Sequence, residues 1–89
     1  MDTCRIRARG LVQGVYFRAW TRDQARELGV SGWVRNCSDG SVEACVQGDP
    51  SKVQELVRRV HCGPPRALVD EVLIETVDSD PAQGFRIER

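Results

Sequence analysis

Eighty-nine residues suffice for one modest hydrophobic core, and the expectation is a single domain over residues 1–89. Thirteen basic and thirteen acidic side chains cancel, which removes the electrostatic footprint of a general nucleic-acid or anionic-membrane binder, so any anion site must be local. There is no long apolar run, signal-like start or lipidation motif, so a cytoplasmic chain without membrane partners is expected. Cys4, Cys37, Cys45 and Cys62 form no C-x-x-C pair, which weakens a zinc or thioredoxin-like reading and leaves the existence of disulfides open.

From Cys4 to Val12 the even positions are Cys, Ile, Ala, Gly and Val, while Arg5, Arg7 and Arg9 take odd positions. Alternation of this kind predicts a strand with one buried face. The arginine stripe reads as a solvated sheet face paired with Glu43 and with carboxylates of the last long strand. The strand runs into the glycine turn Gln13-Gly14-Val15-Tyr16-Phe17-Arg18, and a helix is predicted from about residue 18 to 28. Phe17, Thr21, Ala25 and Leu28 form its apolar stripe and Gly29 its stop. A chain turning in this way leaves backbone N–H groups pointing at one spot beside the positive end of a helix dipole, which suits a phosphate or carboxylate. Arg18 can close over the same anion.

Val30 to Asn36 and Ser41 to Gln47 read as strands joined by Cys37-Ser38-Asp39-Gly40, with Val42, Ala44 and Val46 inward. Opposite strand parity argues against Cys4 facing Cys45. Asp49 is a natural N-cap with Pro50 at the first helical position, and Val53, Leu56, Val57 and Val60 continue a helix that Gly63-Pro64-Pro65 ends. An extended region over residues 67–77 carries apolar side chains at 69, 72 and 74, a parity slip that predicts a bulge near Asp70 and Glu71. A short strand is expected at residues 85–87. The order describes an α+β, ferredoxin-like βαββαβ sandwich, an antiparallel sheet with two helices on one face and a short C-terminal strand. An RNA-reading sheet of this type needs stacking aromatics on its open face. Here arginines stand on that face, and Phe17, Trp33 and Phe85, with Trp20 on the helix flank, are expected to pack.

Two stretches carry more than topology. The first is Gly10, Val12-Gln13-Gly14-Val15 and Phe17-Arg18; the second is Gly32-Trp33-Val34, Asn36, Gly40 and Val42, followed by Gly48. They resemble, without a gap, the acylphosphatase signatures G-x-V-Q-G-V-x-F-R and G-W-V-x-N-x-x-x-G-x-V with a glycine six residues on. The resemblance implies an enzyme that hydrolyses the carboxyl–phosphate bond of a small acyl phosphate. Gln13, Gly14, Val15, Tyr16, Phe17 and Arg18 would hold the phosphoryl group, and Asn36 would orient the attacking water. It also implies that the chain's terminal carboxylate, on Arg89, steadies the arginine. Of other chemistries there is no trace: no C-x5-R phosphatase loop, no G-x-x-x-x-G-K-[ST] and no cluster of metal-binding residues, so neither cofactor nor metal is expected. His61 reads as a surface residue at a helix end, and Asp78-Ser79-Asp80 as a solvated turn. A carboxylate leaving group needs no protonation, so a site lacking a general acid suits an acyl phosphate and suits a phosphate monoester badly. A monomer is expected. The competing class is a phosphate- or carbamoyl-phosphate-binding module without turnover.

Overall fold

The computed structural model describes residues 2–78 and 83–88. In chain order these form β1 (Asp2–Leu11), α1 (Phe17–Leu28), β2 (Ser31–Asn36), β3 (Val42–Gly48), α2 (Pro50–Cys62), β4 (Leu68–Thr76) and β5 (Phe85–Ile87). One five-stranded sheet has the order β4-β1-β3-β2-β5. All pairings are antiparallel except that of β5, which lies parallel to β2 with Val34 opposite Ile87. The ferredoxin-like expectation holds; the added strand makes the sheet mixed.

The even residues of β1 define the core face. Ile6 and Ala8 are buried with Val34, Val42, Ala44 and Val46, and the buried stripes of α1 (Phe17, Ala25) and α2 (Val53, Leu56, Val60) close over them. The stripe spacing of three and four is what lets each helix present one continuous apolar face to the pleat. Trp20 meets Phe17 edge to face at 5.7 Å. α1 stops at Gly29, which is left-handed as a glycine stop requires. Gly32 is demanded by close approach: a Cβ there would lie 1.8 Å from the Cys45 carbonyl oxygen.

The slip in β4 is real. Arg9 pairs with Glu71 and Gly10 with Val69, leaving Asp70 as the extra residue of the bulge. β1 pairs Cys4 with Val46 and Arg5 with Cys45, so those two cysteines occupy opposite faces, and all four thiols are free.

On the open face the arginine stripe converges on one carboxylate. Glu43, with a side chain 5% exposed, lies 3.0 Å from Arg7, 2.7 Å from Arg35 and 3.9 Å from Arg5. Arg9 meets Glu71 at 4.0 Å. Burial pushes the Glu43 carboxyl upward, but hydrogen bonds from Arg35 and Arg7 outweigh it and hold the group below the ordinary glutamate range. The expectation for Trp33 needs correction on one point. It packs, half-buried, on this open face under the Arg35 guanidinium, 5.1 Å from the ring centre, because Gly32 and Val34 take the core-facing positions of β2. Among the described residues no helix is long and apolar enough to cross a membrane.

Candidate active site

The loop between β1 and α1 has a backbone suited to collecting donors. Gly14 has φ 75° and Tyr16, the residue that caps α1, has φ 69°, so the chain passes twice through the left-handed region within three residues. Glycine enters that region freely; tyrosine does so at a cost of about 1–3 kcal/mol. Alternating handedness of this sort turns successive N–H groups toward one concavity. The first helical bond of α1 runs from the Trp20 N–H to the Tyr16 carbonyl at 3.0 Å. Among the described residues the N–H groups of residues 14–19 find no acceptor. The Tyr16 side chain makes no capping hydrogen bond, and the first turn holds no acid.

The residues of this segment, Val15 excepted, border a pocket of about 640 Å³ lined by Val12, Gly14, Tyr16, Phe17, Arg18, Ala19, Asn36 and Ile87. Arg18 is half-buried and has no acidic partner among the described residues, unlike Arg5, Arg7, Arg9 and Arg35. Asn36, the last residue of β2, has the same strand parity as Val34 and therefore looks toward the helix layer. Two segments eighteen residues apart in sequence thus meet in one concavity that joins a guanidinium, several N–H donors and a carboxamide.

Of the residues expected to hold an anion, Gly14, Tyr16, Phe17 and Arg18 line the pocket together with Asn36. Gln13 and Val15 do not. The Val15 side chain packs against the core, and the Gln13 amide turns away to the β2–β3 hairpin. The sequence alone does not assign Val12, Ala19 or Ile87 to the pocket. Ala19 carries a signal, as the third residue of a helix whose amino end the sequence already marks as suited to an anion; Ile87 carries none, because only the parallel pairing of β5 with β2 brings it there. Further from the pocket, the exposed His61 places Nδ1 2.9 Å from the Val57 carbonyl oxygen, as a helix-end surface residue does. Ser79, Asp80 and the Arg89 carboxylate lie outside the described residues, and among those described no group of acids, histidines and cysteines could hold a metal ion.

A ferredoxin-like sandwich whose first helix opens on an uncapped, arginine-guarded loop defines an anion-handling α+β protein. Residues 4–87 match the family model described as Acylphosphatase. An acylphosphatase of Rhizorhabdus wittichii is 51% identical over 91% of this chain and 82% of its own. The crystal structure of acylphosphatase from Bacillus subtilis superposes with a TM-score of 0.96 at 32% identity, covering all of both chains. The chain belongs to the acylphosphatase family and is an enzyme that hydrolyses acyl phosphates. Full-length HypF, solved in a phosphate- and nucleotide-bound form, contains a similar fold at TM-score 0.89 and 26% identity, over 12% of that chain.

Proposed function

We propose that the chain cleaves its substrate by direct attack of water on a phosphoryl group held between the 14–19 amides and Arg18, with Asn36 orienting the water. The carrying observation is that residues whose N–H groups find no acceptor among the described residues, an arginine without an acidic partner among them and an asparagine border one pocket. Phosphoryl transfer needs little covalent help from a protein; it needs positioning and stabilisation of charge on the equatorial oxygens. Amides and a planar guanidinium supply both.

Water forms the new P–O bond while the bond from phosphorus to the carboxyl oxygen breaks. The bonding pair leaves with the carboxylate, and the water proton passes to a phosphoryl oxygen, so one acyl phosphate dianion yields one carboxylate and one dihydrogen phosphate. The departing carboxylate is stable as the anion near pH 7, which is why the pocket works without a carboxylic acid or histidine among its lining residues. The protein acts in the cytoplasm as a monomer in this reading.

The test is hydrolysis of benzoyl phosphate, followed by absorbance, with inorganic phosphate as competitive inhibitor. Arg18→Ala loses on the order of 10²–10³-fold in kcat/KM and weakens phosphate inhibition in parallel. Asn36→Ala loses a comparable factor in kcat with the phosphate inhibition constant nearly unchanged. Equal turnover by wild type and both variants defeats the proposal, and phosphate binding by the wild type without hydrolysis points to a binding module instead.

A further inference from the structure

Gln13 sits between two pocket-lining residues, Val12 and Gly14, yet its side chain serves a different part of the chain. Its Nε2 donates to the Cys37 carbonyl oxygen at 2.8 Å and to the Ser41 carbonyl oxygen at 2.9 Å, the two ends of the β2–β3 turn. Both carbonyls already accept within the turn: Cys37 from the Gly40 N–H at 3.2 Å, Ser41 from the Cys37 N–H at 2.8 Å. The hairpin therefore closes without Gln13. What the carboxamide adds is a strap between the base of the anion loop and the residue that follows Asn36.

We infer that Gln13 is a positioning residue for the water-orienting carboxamide of Asn36, an assignment that rests on the reading of Asn36 given above. In-line attack requires the water and the phosphorus to be held at one separation. The phosphorus is fixed by the loop and the water by the tip of β2, on separate segments of chain. An error of an ångström between them costs up to about 10²-fold in rate. Between the loop and this turn, the side-chain hydrogen bonds among the described residues are the two from Gln13. Its two N–H groups engage carbonyls that flank the turn, so they tie the loop to the hairpin at two points, while the β1–β3 ladder up to Ala8–Val42 and the Arg7–Asp39 ion pair at 3.6 Å hold the turn to β1 rather than to the loop. Arg18 and the 14–19 amides do not depend on the strap, since the loop's handedness and the start of α1 set them.

The consequence is a split that general loosening of the fold does not produce. Gln13→Met keeps length and removes both donors; Gln13→Asn keeps donors but falls one methylene short, and perturbs the fold less. With benzoyl phosphate each lowers kcat by about tenfold or more while the inhibition constant for inorganic phosphate stays within about twofold. In the Asn36→Ala background, Gln13→Met costs less than about twofold further, because the group it positions is gone. Parallel losses in kcat and phosphate affinity, full additivity with Asn36→Ala, or unchanged kcat in both Gln13 variants overturns the assignment. Undiminished turnover by Asn36→Ala alone overturns it together with the reading of Asn36, whereas a crippled Asn36→Ala beside an undiminished Gln13→Met defeats the strap alone.

Discussion

The two helices begin in opposite ways. At α2 the Asp49 carboxylate accepts from the Ser51 N–H at 2.9 Å and its hydroxyl at 2.7 Å, Pro50 fills the first helical position, and the cap residue sits at φ −56°, ψ 131°. At α1 the cap is a left-handed Tyr16 whose side chain makes no capping bond, with no acid in the first turn and N–H groups that find no acceptor among the described residues. Both ends carry the same partial positive charge. The difference is that α2 neutralises it with its own residue, while the first turn of α1 offers no acid to do so. In the proposed mechanism, a helix start that looks poorly finished by the standards of stability is finished by the substrate.

The largest effect is expected from making α1 resemble α2. Ala19 is the third residue of α1 and lines the pocket, so Ala19→Glu puts a carboxylate where helices favour one and where the proposed mechanism seats the phosphate. The dipole gain is about 0.3–1 kcal/mol. Against it, two like charges about 5 Å apart at an effective dielectric of about 20 repel by roughly 3 kcal/mol. Phosphate inhibition and kcat/KM for benzoyl phosphate should both fall on the order of 10²-fold while the unfolding temperature holds or rises. Tight phosphate binding by the variant would show that the amino end of α1 is not the anion site.

The converse change removes the cap of α2. Asp49→Ala should lower Tm by several degrees and leave benzoyl phosphate turnover alone, since Asp49 lines no part of the pocket. Its pH dependence has a fixed sign. Hydrogen bonds from the Ser51 side chain and backbone hold the Asp49 carboxyl below its ordinary value, so the cap's stabilisation is complete above the unfolded-state value and is lost as pH falls through the native one. Melting curves of wild type and Asp49→Ala should stand apart at neutral pH and converge in acid. A gap that stays constant down to acid pH contradicts a carboxylate cap.

What could be read from the sequence divides along the same line. The α2 start was legible because its signals are local: an aspartate followed directly by a proline. So were the alternation of β1 and the parity slip that became the Asp70 bulge, since each is a pattern within one strand. The Arg18 and Asn36 pairing was legible only through the resemblance of two motifs, and the structure then brought both residues to one pocket. Long-range contacts left no local mark. Nothing around Gln13 indicates that its amide reaches residues 24 and 28 positions further on. Trp33 reads in the sequence like the core-packing aromatics because an apolar strand reads alike on either face until its register is known. The parallel seat of β5, and with it Ile87, depends on a return of the chain that no periodicity encodes.

A smaller difference lies inside α1. The Thr21 hydroxyl is buried, the residue 1% exposed, with no hydrogen-bond partner among the described residues. Valine has the same shape without the polar group, so Thr21→Val should stabilise the fold by about 1 kcal/mol, read in urea unfolding. A loss of stability instead would mean that a water satisfies the hydroxyl.

The smallest effect concerns the cap residue itself. The backbone of Asp49 is relaxed, whereas Tyr16 holds a left-handed conformation that its Cβ opposes, and with 67% of the residue exposed its ring repays little through burial. Asparagine visits that region at lower cost through local hydrogen bonds of its side chain. Tyr16→Asn should therefore raise stability by about 0.5–1 kcal/mol in urea unfolding with the denaturant slope unchanged. A left-handed turn forced on the chain by its place between β1 and α1 predicts this gain. If the variant is instead less stable by a similar amount, the tyrosine ring contributes more by contact than its backbone costs, and the loop is held from outside as well as from within.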